Sequence, residues 1–453
     1  MKGKNTIDML HGRLLWPTVK FALPLIATGF LQQSFNSADA LVVGRYCPSS
    51  ALAAVGSNGP IINLIITLFM GLGVGVNVVI ASYIGRRDTE GVRRAVATTG
   101  ILALASGVIL TVLGSFTSRL LLEALGTPDD VLESAATYLQ IFFLAMPFMM
   151  IYNFGAAVLR SVGDTARPFY ILIAGCLTNI VFDLYFTARL DMGVAGVALG
   201  TVIGVGVNAT LITWIMIKNK GDVRLEPRKM RLYRREFGNI VKIGLPAGIQ
   251  GLVFSLSNVF ILSAINSFGS AASAGSAAAL NYEIYCYYIV VGFVQATVAF
   301  TSQNYAAGNV ARCKRIFTLN MILSCVLCGI LNILVVLHKE FFIGLFTDDP
   351  AVMPFAHDRL TMVLLMQFIA CSYEVSGGAM RAMGYSMTPT ILTIFGTCIF
   401  RLLWVFFLPS FNGDFRALMA IYPFTWVITG IAVTIAYFHI RRKAFSHLLT
   451  PTH

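Results

Sequence analysis

Residues 21–39 read FALPLIATGFLQQSFNSAD, and residues 242–260 read KIGLPAGIQGLVFSLSNVF. Pro24 and Pro246, Gly29 and Gly251, and Asn36 and Asn258 each stand 222 positions apart. Tyr83 pairs with Tyr305 and Pro128 with Pro350 at the same spacing. LRSVGDTARP (159–168) then returns as MRAMGYSMTP (380–389) at an offset of 221, through Arg160/Arg381, Gly163/Gly384 and Pro168/Pro389. Chance supplies one such match, but not a register kept over about 140 residues. The chain is a tandem of two like halves.

Composition says what each half is made of. Of the 453 residues, 57% are hydrophobic and 12% charged, with a mean hydropathy of +0.76. Soluble domains carry about 25% charged residues. Apolar runs between charged or Gly/Pro-rich breaks predict twelve membrane spans, at roughly 15–44, 50–83, 93–117, 131–159, 167–188, 193–217, 238–267, 273–305, 314–337, 352–380, 388–409 and 416–440. The start, MKGKNTIDMLHGRLLW, is polar and basic and passes directly into a segment expected to be retained. Six spans per half return the chain to its starting side. The expected fold is therefore an all-α integral membrane protein of twelve transmembrane helices. Its two parallel six-helix repeats would be related by a pseudo-two-fold axis along the membrane normal. The expected division is an N-terminal lobe over 1–218, a basic cytoplasmic linker over 219–236, a C-terminal lobe over 237–443 and a tail over 444–453. The linker is expected to be a solvated loop, the alternative being a helix that lays a few of its apolar residues along the membrane surface.

The net charge of +12 could point to nucleic acid, but its distribution points to topology. With the N-terminus inside, 24 of the 33 Lys and Arg fall on the N-terminal side, including Arg86, Arg87, Arg93, Arg94 and eight basic residues in 218–235. Only Arg45, Arg119, Arg189, Lys339, Arg359 and Arg416 are assigned to the other side. This positive-inside bias predicts a multi-pass cell-membrane protein with both termini cytoplasmic and no nucleic-acid partner. Cys325 and Cys328 form one turn of an apolar helix and are expected to pack; Cys47 is the sole Cys in an outside loop.

Four acids fall well inside the spans: Asp39, Asp183, Glu283 and Glu374. Each costs about 2.5–3.5 kcal/mol at a helix centre, so it must be neutral, paired or facing water. Asp39 and Asp183 both lie in the outer halves of their spans, and Asn179 sits one turn from Asp183. Thr201, eight residues into its span, is at a similar depth, about 12 Å in. The set is oxygen-rich without His or thiolate, which suits a proton or a hard cation such as Na⁺ rather than zinc. Two close carboxylates in a low dielectric cannot both stay ionised without a counter-charge, so the pair should bind protons or exchange them for a cation. Glu283 and Glu374 do not repeat this geometry: either attracts a cationic substrate or holds a helix contact. Arg401 either pairs with Glu374 or snorkels. Pro24 permits a bend in the first span, static or used as a hinge. Some of the 17 Met and 33 Phe would line an adaptable apolar cavity.

Together, the twelve spans, the 6+6 repeat, Pro24, Asp39, Asn179, Asp183 and Thr201 resemble the multidrug and toxic compound extrusion (MATE) family. The loop YIGRRDTEGVRR (83–94), LRSVGDTARP and SGGAMRAMGYSMTPT (376–390) add to the resemblance, which covers about 12–443. The membrane acids look like the DinF-like branch. That resemblance implies a cation site for H⁺ or Na⁺ at Asp39, Asn179, Asp183 and Thr201, with Gln32, Tyr138 and Asn153 lining the neighbouring cavity. Acids of the NorM-like branch in the second lobe are not matched, Phe254 standing at the corresponding place and Glu374 displaced. The resemblance implies antiport of H⁺ or Na⁺ against amphipathic, often cationic, drug-like compounds, by a monomer among membrane lipids, with no cofactor beyond the coupling ion. The rival within the superfamily is a lipid-linked oligosaccharide flippase, for which an Arg-rich cavity is expected rather than four acids. A major-facilitator transporter would show an Asp-Arg signature after span 2, and GRRDTEGVRR lacks it. No P-loop, HExxH or paired-His cluster supports an enzyme or a primary pump.

Overall fold

The computed structural model of the protein describes residues 6–46, 49–124, 127, 129–407 and 414–449. Cys47 lies outside them. Among the described residues every regular element is helical. The first half comprises α1 (Leu15–Tyr46), α2 (Ser49–Gly85), α3 (Thr89–Ala124), α4 (Asp129–Leu144), α5 (Met146–Ser161), α6 (Ala166–Leu184) and α7 (Gly193–Lys218). The second comprises α8 (Arg234–Asn266), α9 (Ser270–Ala306), α10 (Val310–Leu337), α11 (Met353–Ala382), α12 (Met387–Phe407) and α13 (Phe415–Ser446).

Ten of these helices are long and apolar enough to cross a bilayer. The pair α4 and α5, bent by 47°, makes an eleventh span; Pro147 in the first turn of α5 suits the break. The twelfth, α1, has 32 residues, but Lys20, Gln32, Gln33, Asn36 and Asp39 make it more polar. The repeat is visible in the backbone. The starts of α2 and α9, of α3 and α10, and of α6 and α12 are each 221 residues apart. Arg87 and Gly308, at the same spacing, both turn through positive φ (58° and 75°), as do Gly163 and Gly384 (87° and 91°). Glycine adopts this conformation without a Cβ penalty.

Two compact units form, one of 1–8 and 27–248, the other of 9–26 and 249–453. The cut passes through α1 and α8, two residues after Pro24 and Pro246 respectively. The packing explains why. In the first unit the start of α8 crosses α2 backbone to backbone: a Cβ on Gly71 would strike Gly248, and one on Gly75 would strike the Ile240 carbonyl. In the second unit the start of α1 meets α9 at the repeat-equivalent positions, Gly292 lying against Ala22 and Ile26.

The linker is solvated along most of its charged residues, Arg224, Arg228, Lys229 and Arg231 among them, but its apolar residues dock. Val223 is buried, Met230 and Leu225 cover Gly100 of α3, and the Tyr233 N–H donates to Thr98 Oγ1 at 3.2 Å. Its few apolar residues found a partner on α3, which their spacing in a basic stretch did not reveal. YIGRRDTEGVRR is tied to the same region. Arg94 Nε reaches buried Glu236 Oε1 at 3.0 Å, and Tyr83 donates to that oxygen at 3.3 Å. Asp88 caps α3 by accepting from the Gly91 N–H at 2.8 Å. In LRSVGDTARP, Asp164 accepts from the Arg167 N–H at 3.1 Å; burial pushes its carboxyl above the usual range, while Arg167 pulls the other way.

Candidate functional site

In the first unit α6 packs along α7, and small residues bring the two close. On α7, Gly196, Gly200, Gly204 and Asn208 recur every four residues; opposite them on α6 and its continuation stand Phe186, Asp183, Asn179 and Gly175. A Cβ on Gly200 would land on the Asp183 carboxylate, and one on Gly204 would come within 2.8 Å of Asn179 Cβ. With no side chain between the backbones, polar groups of α6 are held against α7 and shielded from lipid. Beyond Asp183, α6 widens into a π-helical turn, Tyr185–Arg189, a distortion common at functional sites.

Asp183 is fully buried and Asn179 nearly so. Asn179 Nδ2 donates to Asp183 Oδ1 at 3.1 Å and lies 3.5 Å from Thr201 Oγ1 on α7. Asp39, on α1, comes within hydrogen-bonding reach of Asp183. Carboxylates only accept, so a hydrogen bond between two carboxyls needs a proton on one of them. Asp39 Oδ1 and Asp183 Oδ2 are buried without a protein partner. The four residues of the expected cation site are therefore neighbours, with the Asn179 amide nitrogen turned toward the Asp183 carboxylate and the Thr201 hydroxyl. Among the described residues no group of His, Cys, Asp and Glu has the make-up of a transition-metal site.

The expected cavity residues divide. Tyr138, on α4, is buried and stacked on Phe142 at 6.1 Å. Gln32 is exposed on α1, and Asn153 Nδ2 donates to the Met149 carbonyl at 3.0 Å. Sequence reading passed over Gly200 and Gly204, although the GxxxGxxxG spacing in GVAGVALGTVIG was there to find.

The second unit uses its acids differently. Glu283 of α9 is gripped by Arg359 of α11, Nε to Oε1 at 2.6 Å and Nη2 to Oε2 at 3.0 Å, and Gln367 donates to the Glu283 carbonyl at 3.0 Å. Arg359, counted by sequence among the basic residues of the outer side at the start of span 352–380, lies buried within α11. Glu374 accepts from Tyr287 at 2.8 Å. Arg401 neither pairs with Glu374 among the described ion pairs nor snorkels, for it is 1% exposed and donates to Asn258 Oδ1 at 3.2 Å. Cys328 packs against Cys286 and Asn332, as expected of a packing residue.

Comparison with known proteins agrees with this architecture. The MatE family model matches twice, over 24–185 and over 246–407, a displacement equal to the repeat spacing. The chain is similar to the probable multidrug resistance protein YoeA of Bacillus subtilis, 28% identical over 83% of this chain and 82% of that one. It is similar to the probable multidrug resistance protein NorM of Thermotoga maritima, 25% identical over 85% and 83%. A crystal structure of a MATE protein in the bent conformation shares the fold, with a TM-score of 0.91 at 22% identity over 99% of this chain and 100% of that one. The chain belongs to the MatE family, whose members are transporters and not enzymes.

Proposed function

We propose that this protein exports amphipathic, drug-like compounds, cationic ones among them, in exchange for a cation bound at Asp39, Asn179, Asp183 and Thr201. The observation that carries the reading is the approach of Asp39 to Asp183, each with a buried oxygen that no protein group satisfies. Like charges that close cannot persist bare in a low dielectric, so the pair must gain and release positive charge. A shared proton satisfies the contact directly, and H⁺ is the coupling ion we favour. Na⁺ is the second reading, supported by a residue set with carboxyl and hydroxyl oxygens and no His or thiolate. The names of the relatives support drug-like cargo. The basic bias of one side supports cytoplasmic termini, and alternation between inward- and outward-open states about the two repeats supplies the transport cycle.

Asp39→Asn and Asp183→Asn should each reduce ion-coupled dye efflux at least about tenfold while the protein remains in the membrane. Proteoliposomes with independently imposed pH and sodium gradients measure this and name the ion. Wild-type efflux by either variant at equal protein level refutes the site; efflux driven by sodium alone replaces H⁺ with Na⁺.

A further inference from the structure

Arg401 stands on α12 just past a π-helical stretch, Ile394–Ile399, and is 1% exposed. Its Nη1 donates to Asn258 Oδ1, and its guanidinium faces the rings of Tyr422 at 4.5 Å and Phe254 at 5.1 Å. Its Nε and Nη2 meet no acceptor among the described residues. Guanidinium does not shed its charge inside a protein, so neutralising itself is not open to it. Stacking on two rings offsets only part of the burial.

Arg359, which also faces Tyr422, at 5.5 Å, shows what this edge of a guanidinium does when an acid is supplied. Its Nε and Nη2 take the two oxygens of Glu283, one each. The same edge of Arg401 has no such acid, because Glu283 is occupied by Arg359 and Glu374 accepts from Tyr287. Planar two-point donation is matched by a carboxylate. We propose that the Nε–Nη2 edge of Arg401, framed by Asn258, Phe254 and Tyr422, is a binding site for the carboxylate of a ligand with a flat apolar body. The site lies in the second unit and shares no residue with the cation site in the first. It widens the ligand class from cations to compounds that also carry a carboxylate.

The test is thermal unfolding of the purified full-length protein in detergent, titrated with sodium benzoate, with benzamide, and with added sodium chloride at matched ionic strength. A ligand held at a buried edge stabilises the folded state. Benzoate should raise the melting temperature saturably, by about 2–5 °C, and benzamide and chloride should not. Arg401→Gln should abolish the benzoate shift, and Arg401→Lys, which keeps the charge without the two-point edge, should lose more than half of it. The Lys variant decides the matter if the Gln variant fails to fold. Equal benzoate shifts in wild type and variants, or a benzamide shift equal to that of benzoate, would overturn the site. A chloride shift as large as that of benzoate would mean only a halide site and overturn the carboxylate assignment.

Discussion

Asp183 and Glu283 are both buried acids on transmembrane helices, yet their neighbours give them opposite prospects. Glu283 has its charge cancelled at two points by Arg359, so nothing remains to attract a passing cation. Asp183 faces another acid, an amide and a glycine, and none of these supplies a positive charge. Sequence reading left Glu283 open between substrate contact and helix contact; the ion pair favours the second. Glu283→Gln leaves a buried guanidinium without its counter-charge, a loss of about 3–5 kcal/mol. We expect a marked fall in thermal stability whatever the substrate, recovered in part by adding Arg359→Gln. Unaltered melting with selective loss of one substrate would return Glu283 to the transport path.

At the scale of the element, the cation site depends on how closely α6 and α7 approach. The stripe of Gly196, Gly200 and Gly204 brings Thr201 to Asn179 and presses Asp183 against bare backbone. Gly200→Ala puts a methyl group where the Asp183 carboxylate now lies, so one of them must move. We expect coupled efflux to fall about tenfold or more with membrane levels retained. Gly206→Ala, on the same helix but with nothing within 4 Å of the added Cβ, should leave it unchanged. A Gly200→Ala variant as active as Gly206→Ala would show that the close approach is not needed for the site.

Across the whole molecule, α1 and α8 each belong to both compact units, and the passage falls two residues past a proline in each. Proline removes one intrahelical hydrogen bond, which lowers the cost of changing the helix's direction there. Pro24→Ala and Pro246→Ala should therefore keep or raise thermal stability while slowing efflux severalfold in vesicles. Undiminished turnover in both would mean that the bends are static.

Much of the fold could be read in the chain because its cause is local. Runs of about 20 apolar residues must span a bilayer, and a register held across both halves demands two like units. Asp39 and Asp183, which carry the proposed cation site, stood out in the sequence too, since a costly charge inside a span requires a reason. Which face of α7 met α6, that Arg359 was buried against Glu283, that the linker's apolar residues docked on α3, and that Arg401 was left without an acid were decided only by tertiary structure. Each is a matter of which helix lies beside which, and the apolar pattern that drives a helix into lipid is indifferent to its neighbours. Only packing, where a missing Cβ or a two-point ion pair admits one arrangement and excludes others, selects among them.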